Sequence, residues 1–192
     1  MGREFELKYA ATAADLAILK EKYPHLSPIA METTYYDTPD GILGQMHWTL
    51  RRRMENGRSV CTLKTPTAGL GRGEWEIEYG DIADALPLLC KAGAPQELLV
   101  LTAKGVEPVC GARFTRLAGL VEAPGCTVEL ALDAGVLTGG GKEQSFTEVE
   151  VELKSGSEDA AIAFATLLAR KMGLQPEHRS KVKRARDLAG LK

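Results

Sequence analysis

Alternation of charged and apolar residues is the dominant pattern of this chain. Residues 3–9 alternate in this way, and residues 148–154 repeat the pattern near the other end. Because successive side chains of a β-strand point to opposite faces, each segment predicts a strand with one charged and one apolar face. The charged positions are Glu4, Glu6, Lys8, Glu148, Glu150 and Glu152. Carboxylates about 6.5 Å apart on one strand face repel each other away from water, so we expect a divalent cation as their partner.

Further segments carry the same strand pattern. We predict strands over residues 31–37, 45–53, 59–65, 72–79 and 109–123, with another beginning near Gly125. Asn56-Gly57 is typical of a tight hairpin turn, and Gly139-Gly140-Gly141 indicates a flexible turn into the strand around Glu148.

Helical spacing of apolar residues occurs between these strands. We predict helices over residues 12–23, 84–92, 95–103, 157–172 and 178–188. Thr12 and Ser157 have hydroxyl side chains of the kind that cap helix N-termini, and Gly173 is typical of a helix end. Pro87 fits the second helix only in its first turn, where the missing N–H has no partner in any case.

The order of these elements predicts the α+β class with an antiparallel sheet. No segment repeats and no linker divides the chain, so we expect one domain over residues 1–192. If the strands curl into a β-barrel with helices packed on the outside, their charged faces line a lumen. The alternative is an open sheet with a solvated charged face, which is common in antiparallel sheets.

The composition, with 44% hydrophobic and 26% charged residues, is that of an ordinary globular protein. A net charge of −2 argues against a broad nucleic-acid-binding surface. The sequence has no apolar run of membrane-spanning length and no secretory signal pattern, so we expect a cytoplasmic protein. The four cysteines are scattered, which predicts reduced, packed thiols rather than a zinc site.

The charged positions differ in kind between strands. Carboxylates cluster on the first and last strands, whereas Arg51, Arg53 and Lys64 cluster on a central hairpin. A solvated surface would mix the two signs, so this segregation favours an enclosed site. Basic groups neutralise phosphate oxygens, and carboxylates hold Mg²⁺ or Mn²⁺ through oxygen ligands. The pattern therefore predicts a site for a polyanion together with a divalent cation.

Short motifs along the whole chain resemble those of the CYTH superfamily, the triphosphate tunnel metalloenzymes. The first is Glu4-Phe5-Glu6-Leu7-Lys8, similar to an ExExK motif, and the last is Ser180-Lys181-Val182-Lys183-Arg184, similar to an SKxxR motif. Between them lie residues 35–40 (YYDTPD), 50–53 (LRRR), 62–64 (TLK), 72–76 (RGEWE), 114–116 (FTR), 129–133 (ELALD) and 148–150 (EVE). One such motif is common by chance, but the complete order is specific.

The resemblance implies an eight-stranded antiparallel β-barrel, or tunnel, with helices packed on the outside, that hydrolyses or cyclises triphosphates with Mg²⁺ or Mn²⁺. The turn at residues 55–58 is most similar to bacterial inorganic triphosphatases, which implies hydrolysis of tripolyphosphate to pyrophosphate and phosphate. Those proteins often carry a following CHAD domain, which would lie beyond Lys192. We expect a monomer or homodimer with a small-molecule triphosphate substrate and without nucleic-acid or membrane partners.

The resemblance also implies roles for individual residues. The residues expected to hold the triphosphate are Lys8, Arg51, Arg53, Lys64, Arg116, Lys181 and Arg184. The expected metal ligands are Glu4, Glu6, Glu148 and Glu150, with Glu74, Glu76, Glu129, Asp133 and Glu152 as further candidates. Lys8, Arg53 and Glu150 are the expected catalytic residues.

Other activities fit the same tunnel. Class IV adenylate cyclase and thiamine or nucleoside triphosphatase are alternatives for the enzyme. A non-enzymatic polyphosphate-binding module would keep the basic residues but would release no phosphate when a metal is added. The full set of carboxylates favours an enzyme over the binding module.

Overall fold

The computed structural model describes residues 5–66 and 72–191. Its strands are β1 (Glu6–Ala10), β2 (Ser27–Asp37), β3 (Thr49–Glu55), β4 (Arg58–Pro66), β5 (Arg72–Glu78), β6 (Glu107–Ala123), β7 (Cys126–Gly139), β8 (Lys142–Gly156) and β9 (Gln175–Pro176). Its helices are α1 (Ala13–Lys22), α2 (Ile42–Gln45), α3 (Ile82–Lys91), α4 (Glu97–Leu101), α5 (Glu158–Met172) and α6 (Lys181–Leu188). Glu4, one of the expected metal ligands, lies outside the described residues.

The strands form one antiparallel sheet in the order β5-β4-β3-β2-β6-β7-β8-β1-β9. Eight of them have five or more residues and β9 has two, so the expected antiparallel sheet of eight strands with helices beside it is confirmed. The first and last of the charged segments are neighbours, because β1 pairs with β8 and Lys8 lies opposite Glu150.

The apolar face of the sheet packs against helices. Cluster residues of α1 and α5 cover β1 and β6–β8, where Val149 and Val151 are almost fully buried. Residues of α3 and α4 cover β3–β5, where Leu50 and Leu63 are fully buried. Each buried aliphatic side chain contributes roughly 1.5–3 kcal/mol, and this burial fixes which side of each strand faces the helices. The charged positions therefore lie together on the other face, which we call the inner face.

Helix α6 is different, because it packs on the inner face. Ala185 is fully buried in a cluster that includes Met31, Phe114 and Leu137. Gly139 permits this close approach, since a Cβ there would lie 2.5 Å from the Ala185 carbonyl oxygen. The helices that cover the apolar face therefore lie outside the sheet, as expected. Helix α6 instead lies on the charged face and adds its basic residues there.

Two sequence predictions fail at local level. The strand predicted over residues 45–53 begins only at Thr49, because the chain first forms α2, whose Leu43 and Gly44 N–H groups are bound by the Asp37 carboxylate. Pro87 lies in the second turn of α3 rather than the first, since the helix begins at Ile82 after its Asp81 cap. A side-chain carboxylate that binds backbone N–H groups sets the helix start in each case, Asp37 for α2 and Asp81 for α3, and periodicity alone does not reveal these contacts.

Several turn and cap predictions are confirmed. Asn56 and Gly57 both have positive φ, 47° and 87°, as the tight β3–β4 turn requires. Thr12 and Asp15 form a capping box on α1, and Gly173 ends α5 in the left-handed conformation. Among residues 5–66 and 72–191, no helix combines the length and the apolarity needed to cross a membrane.

The cysteines give a direct test of the packing. Cys61, Cys90, Cys110 and Cys126 are all buried and free, as predicted. Burial raises the pKa of Cys61 to about 11 and that of Cys110 to about 12. Because the thiolate is the reactive form, we expect a disulfide reagent such as DTNB to label no thiol in the native protein and four after denaturation. Stoichiometric labelling of the native protein would contradict this packing.

Candidate functional site

Three buried carboxylates meet on the inner face of β7 and β8. Asp133 and Glu148 are fully buried, and Glu150 is 8% exposed. Asp133 lies opposite Glu148 in the β7–β8 ladder, which brings their side chains together. One carboxylate oxygen of each of the three residues lies within 4.8 Å of the other two. Such a group needs cations close by, because burying an unpaired charge is costly.

Two cations bridge these carboxylates. Arg116 on β6 donates through Nε and Nη2 to the two oxygens of Asp133, at 2.8 and 2.7 Å, and through Nη2 to Glu150 at 2.5 Å. Lys181 Nζ on α6 lies 2.8 Å from both Asp133 and Glu150 and also contacts Glu148. Strands and the C-terminal helix therefore build one charge network.

The network shifts the ionisation of its members. Burial opposes the ionisation of Glu150, but Lys181 and Arg116 outweigh it and hold the pKa of Glu150 below its ordinary value. Burial and the charge of Glu150 raise the pKa of Glu148, although Lys181 and Arg184 both pair with it. The site therefore contains a firmly ionised carboxylate beside one that accepts a proton more readily, and this combination can support acid-base chemistry.

Two aromatic rings lie close to the cationic groups of Lys181 and Arg184. Phe114 and Phe146 pack edge to face with their centroids 5.6 Å apart. Lys181 Nζ lies 5.1 Å from the centroid of Phe114 and 5.4 Å from that of Phe146, and the guanidinium of Arg184 lies 5.4 Å from the latter. Cation–π attraction therefore helps to orient both α6 side chains toward the carboxylates.

A second charged group lies on the inner face of β3–β5. Lys64 Nζ lies 3.1 Å from Glu74, and Arg51 lies 3.7 Å from Glu74 and 3.6 Å from Glu76. Arg53 lies 3.9 Å from Glu76. Burial opposes the ionisation of Glu76. The hydrogen bond that Glu76 accepts from the Thr62 hydroxyl and the charges of the neighbouring cations nevertheless hold the pKa of Glu76 below its ordinary value. Here Lys64 pairs with the neighbouring strand β5, while Arg51 and Arg53 reach across β4 to the same β5 carboxylates.

Tyr35 on β2 connects the two groups. Its phenol is almost fully buried, and burial raises its pKa while the charges of Arg51, Lys181 and Arg53 act in the opposite direction. Burial and the charge of Arg51 lower the pKa of Arg53, and Arg116 contributes in the same direction. Side chains of β3, β6 and α6 are therefore close enough to influence each other, as expected for a shared interior.

Several guanidinium groups in this interior keep a free donor. Among the described residues, five buried side-chain polar atoms have no hydrogen-bond partner: the Nε atoms of Arg51, Arg53 and Arg184 on the inner face, the Nε of Arg52 on the opposite face, and the Ser59 hydroxyl. The three inner-face arginines form ion pairs through other atoms. A buried N–H without an acceptor is destabilising, so these donors favour a ligand with acceptor oxygens.

The remaining predicted residues lie at the β1 side of the same face. Lys8 Nζ donates to Glu6 at 3.1 Å, and its side chain is 14% exposed. Glu129 and Glu152 lie one step farther along β7 and β8, where Lys154 pairs with them at 3.8 and 2.8 Å. These two carboxylates are more exposed than the buried three, so they are weaker candidates for a metal.

Sequence reasoning missed residues that complete the site. Tyr35, Phe114 and Phe146 face inward, yet alternation alone gives no sign that an aromatic residue belongs to a charged interior. Glu55 pairs with Arg53, and Thr62 donates to Glu76 at 2.9 Å. The signal for Thr62 was present, since it shares a strand face with Lys64 two residues later.

The donor set of the buried carboxylates is suited to a hard divalent cation. Asp133, Glu148 and Glu150 offer oxygen ligands within 4.8 Å of one another, and Mg²⁺ and Mn²⁺ prefer such oxygens. Lys181 and Arg116 now contact the same oxygens. Any metal held here would therefore replace part of those contacts.

The chain is similar in sequence to a characterised protein. The inorganic triphosphatase of Haemophilus influenzae is 31% identical over 158 residues, which cover 79% of this chain and 44% of that protein. The chain thus spans less than half of the length of this relative.

Solved structures share the fold at low sequence identity. A putative adenylate cyclase from Bacillus halodurans has a TM-score of 0.67 at 19% identity, covering 96% of this chain and 98% of that one. A putative adenylyl cyclase from Hippeastrum, described as having a dominant triphosphatase activity, has a TM-score of 0.64 at 17% identity, covering 100% and 97%. The sequence matches the CYTH domain over residues 2–185. The chain therefore belongs to the CYTH domain family.

Proposed function

We propose that this protein is a metal-dependent inorganic triphosphatase that hydrolyses tripolyphosphate to pyrophosphate and phosphate. The observation that carries the proposal is that Arg51, Arg53 and Arg184 lie on the charged inner face with buried Nε atoms that have no acceptor among the described residues, a lack that Arg52 Nε shares on the opposite face. An elongated polyanion provides such acceptors along its whole length. The 31% identity to an inorganic triphosphatase supports the same substrate class.

The cations divide the work of binding the phosphoryl groups. Arg51, Arg53 and Lys64 approach from β3 and β4, and Lys181 and Arg184 approach from α6. Arginine forks suit bidentate contacts with phosphate oxygens, while lysine acts as a point charge. Arg116 and Lys8 extend the cationic lining toward β8 and β1. These seven cations together neutralise the negative charge of the bound triphosphate.

The carboxylates are proposed to hold the divalent cation. Glu148 and Glu150 are the first candidates, with Asp133 beside them, together with Glu6 of β1 and Glu4. Mg²⁺ or Mn²⁺ bound there would neutralise phosphate charge and lower the pKa of a bound water. Substrate oxygens compete for Lys181 and Arg116, so binding of the polyanion would free carboxylate oxygens now paired with these cations.

In the proposed reaction, a water oxygen bonds to a terminal phosphorus while the bond from that phosphorus to the bridging oxygen breaks. The water proton passes to a carboxylate, and pyrophosphate leaves with the electron pair. Arg53 and Lys8 would stabilise the transferring group without changing protonation state.

The three consecutive arginines of β3 allow a matched test of the inner face. Arg53→Ala removes a proposed phosphate donor, whereas Arg52→Ala removes an arginine of the opposite face that donates to the Gly80 carbonyl at 3.1 Å. A hydrogen bond to a charged group contributes ~1.5–3 kcal/mol, so we expect kcat/KM for tripolyphosphate to fall about tenfold or more in the first variant. The second variant should keep its kinetics. Equal effects of both substitutions would mean that β3 does not contact substrate through this face.

The proposed metal role of Glu150 is tested with two Glu-to-Gln substitutions on β8. Glu150→Gln keeps the shape of a buried network member, while Glu143→Gln changes an exposed residue that pairs with Arg113 at 2.5 Å. A metal held by Glu150 would stabilise the developing charge, and loss of such stabilisation costs about 100-fold or more in kcat, so we expect this loss for the first variant only. Calorimetric titration with Mn²⁺ should show weaker binding in the same variant. Unchanged Mn²⁺ affinity together with unchanged turnover would reject Glu150 as a ligand.

The substrate class is decided by a panel of phosphate esters and anhydrides. Phosphate release from tripolyphosphate, ATP and thiamine triphosphate is measured with Mg²⁺, with Mn²⁺ and after chelation of metal. We expect the highest kcat/KM with tripolyphosphate and no release after chelation. Preferential formation of cyclic AMP from ATP would identify the cyclase alternative, and binding without phosphate release would identify a polyphosphate-binding module.

A further inference from the structure

Asp37, in the segment YYDTPD, forms an unusually complete set of contacts for a residue outside the site described above. Its side chain is nearly fully buried. Oδ1 accepts hydrogen bonds from the backbone N–H groups of Thr38 at 2.8 Å and Leu43 at 3.0 Å, and Oδ2 accepts one from Gly44 at 3.0 Å. Oδ2 also accepts a charged hydrogen bond from Arg186 Nη1 at 2.8 Å. A residue of β2 is therefore tied to α2 and to α6.

Gly44 provides the space for this ion pair. A Cβ at residue 44 would lie 2.6 Å from Cζ of Arg186 and would overlap its guanidinium group. The Arg186 side chain is only 16% exposed, and the Cys110 thiol lies close enough that both charges of the pair act on its pKa. The pair thus lies in a partly desolvated seat, where a charged hydrogen bond is stronger than on the surface.

Helix α6 depends on such contacts for its position. It has eight residues, fewer than an isolated helix needs for stability in water. Ala185 is its only fully buried residue among those described, and four of its eight residues are cationic. Its N-terminal half carries Lys181 and Arg184, which reach the buried carboxylates of β7 and β8. Its C-terminal half is tied to β2 and α2 by Arg186.

We propose that the Asp37–Arg186 ion pair, seated against Gly44, is a latch that positions α6 so that Lys181 and Arg184 project into the phosphate-binding interior. Asp37 and Arg186 are accordingly positioning residues that contact no substrate. This inference rests on the proposed function for its kinetic consequence, but the latch itself is a property of the fold.

The alternative is that Asp37 only stabilises the turn between β2 and α2. The two roles separate at Arg186, because removing the guanidinium leaves Asp37 with its three backbone donors and an intact turn. Gly44→Ala separates the two roles in a second way. It keeps every charge and the backbone N–H of residue 44, but its methyl group fills the space that the Arg186 guanidinium occupies. Lys183→Met is the matched control, because Lys183 forms an exposed ion pair with Asp187 on the same helix.

The experiment compares wild type, Gly44→Ala, Arg186→Met, the double variant and Lys183→Met. Hydrogen exchange at α6, normalised to exchange at β7, should become about tenfold faster in Gly44→Ala, in Arg186→Met and in the double variant. It should stay unchanged in the control Lys183→Met. KM for tripolyphosphate should rise about tenfold with kcat within about twofold, since the displaced cations bind ground state and transition state alike. The double variant should resemble Arg186→Met, because both changes break one contact. Arg186→Lys should recover part of the affinity.

Three outcomes overturn the latch. The first is wild-type exchange at α6 in both Gly44→Ala and Arg186→Met. The second is faster exchange with unchanged KM, which would reduce the pair to an anchor without a positioning role. The third is full additivity of the two substitutions. If wild-type protein hydrolyses no triphosphate, the proposed function fails independently, and the positioning role is then judged from α6 exchange and the calorimetric affinity for tripolyphosphate without metal.

Discussion

The carboxylates of Asp133, Glu148 and Glu150 can share a buried face only because three cations meet them there. Removing one partner from such a network leaves an uncompensated charge, and this loss is more destabilising than the pair itself is stabilising. The balancing groups come from β6 and from α6, and more than sixty residues of chain separate Arg116 from Lys181. The position of the C-terminal helix and the ionisation of the strand carboxylates therefore depend on each other.

The same network explains how a protein can keep a charged interior before any substrate is present. Each buried carboxylate contacts two of the three cations Arg116, Lys181 and Arg184. The cationic groups of β3 and β4 are arranged more loosely, with ion-pair distances of 3.1 to 3.9 Å to Glu74 and Glu76.

The sequence predicted well which alternate residues of each strand point inward, because the apolar residues must pack against the helices and the residues between them then face the other side. The pairs Glu148 with Glu150 and Arg51 with Arg53 were found in this way. The start of β3 was predicted wrongly, since the Asp37 carboxylate organises α2 through contacts that no local pattern reveals. Inward-facing Tyr35 and Phe114 were missed for another reason, because aromatic residues fit either face of a strand. The ionisation order of Glu148 and Glu150 also depends on three-dimensional neighbours.

The sequence Arg51-Arg52-Arg53 places two guanidinium groups inside and one outside, solely through the two-residue period of a strand. A single-residue insertion or deletion within β3 would exchange these sides, sending Leu50 and Arg52 into the interior and two arginines into the apolar layer beneath α3. Changes of two residues preserve the pattern. This half of the sheet should therefore tolerate insertions or deletions of an even number of residues but not of an odd number. This expectation does not depend on which individual side chains are present.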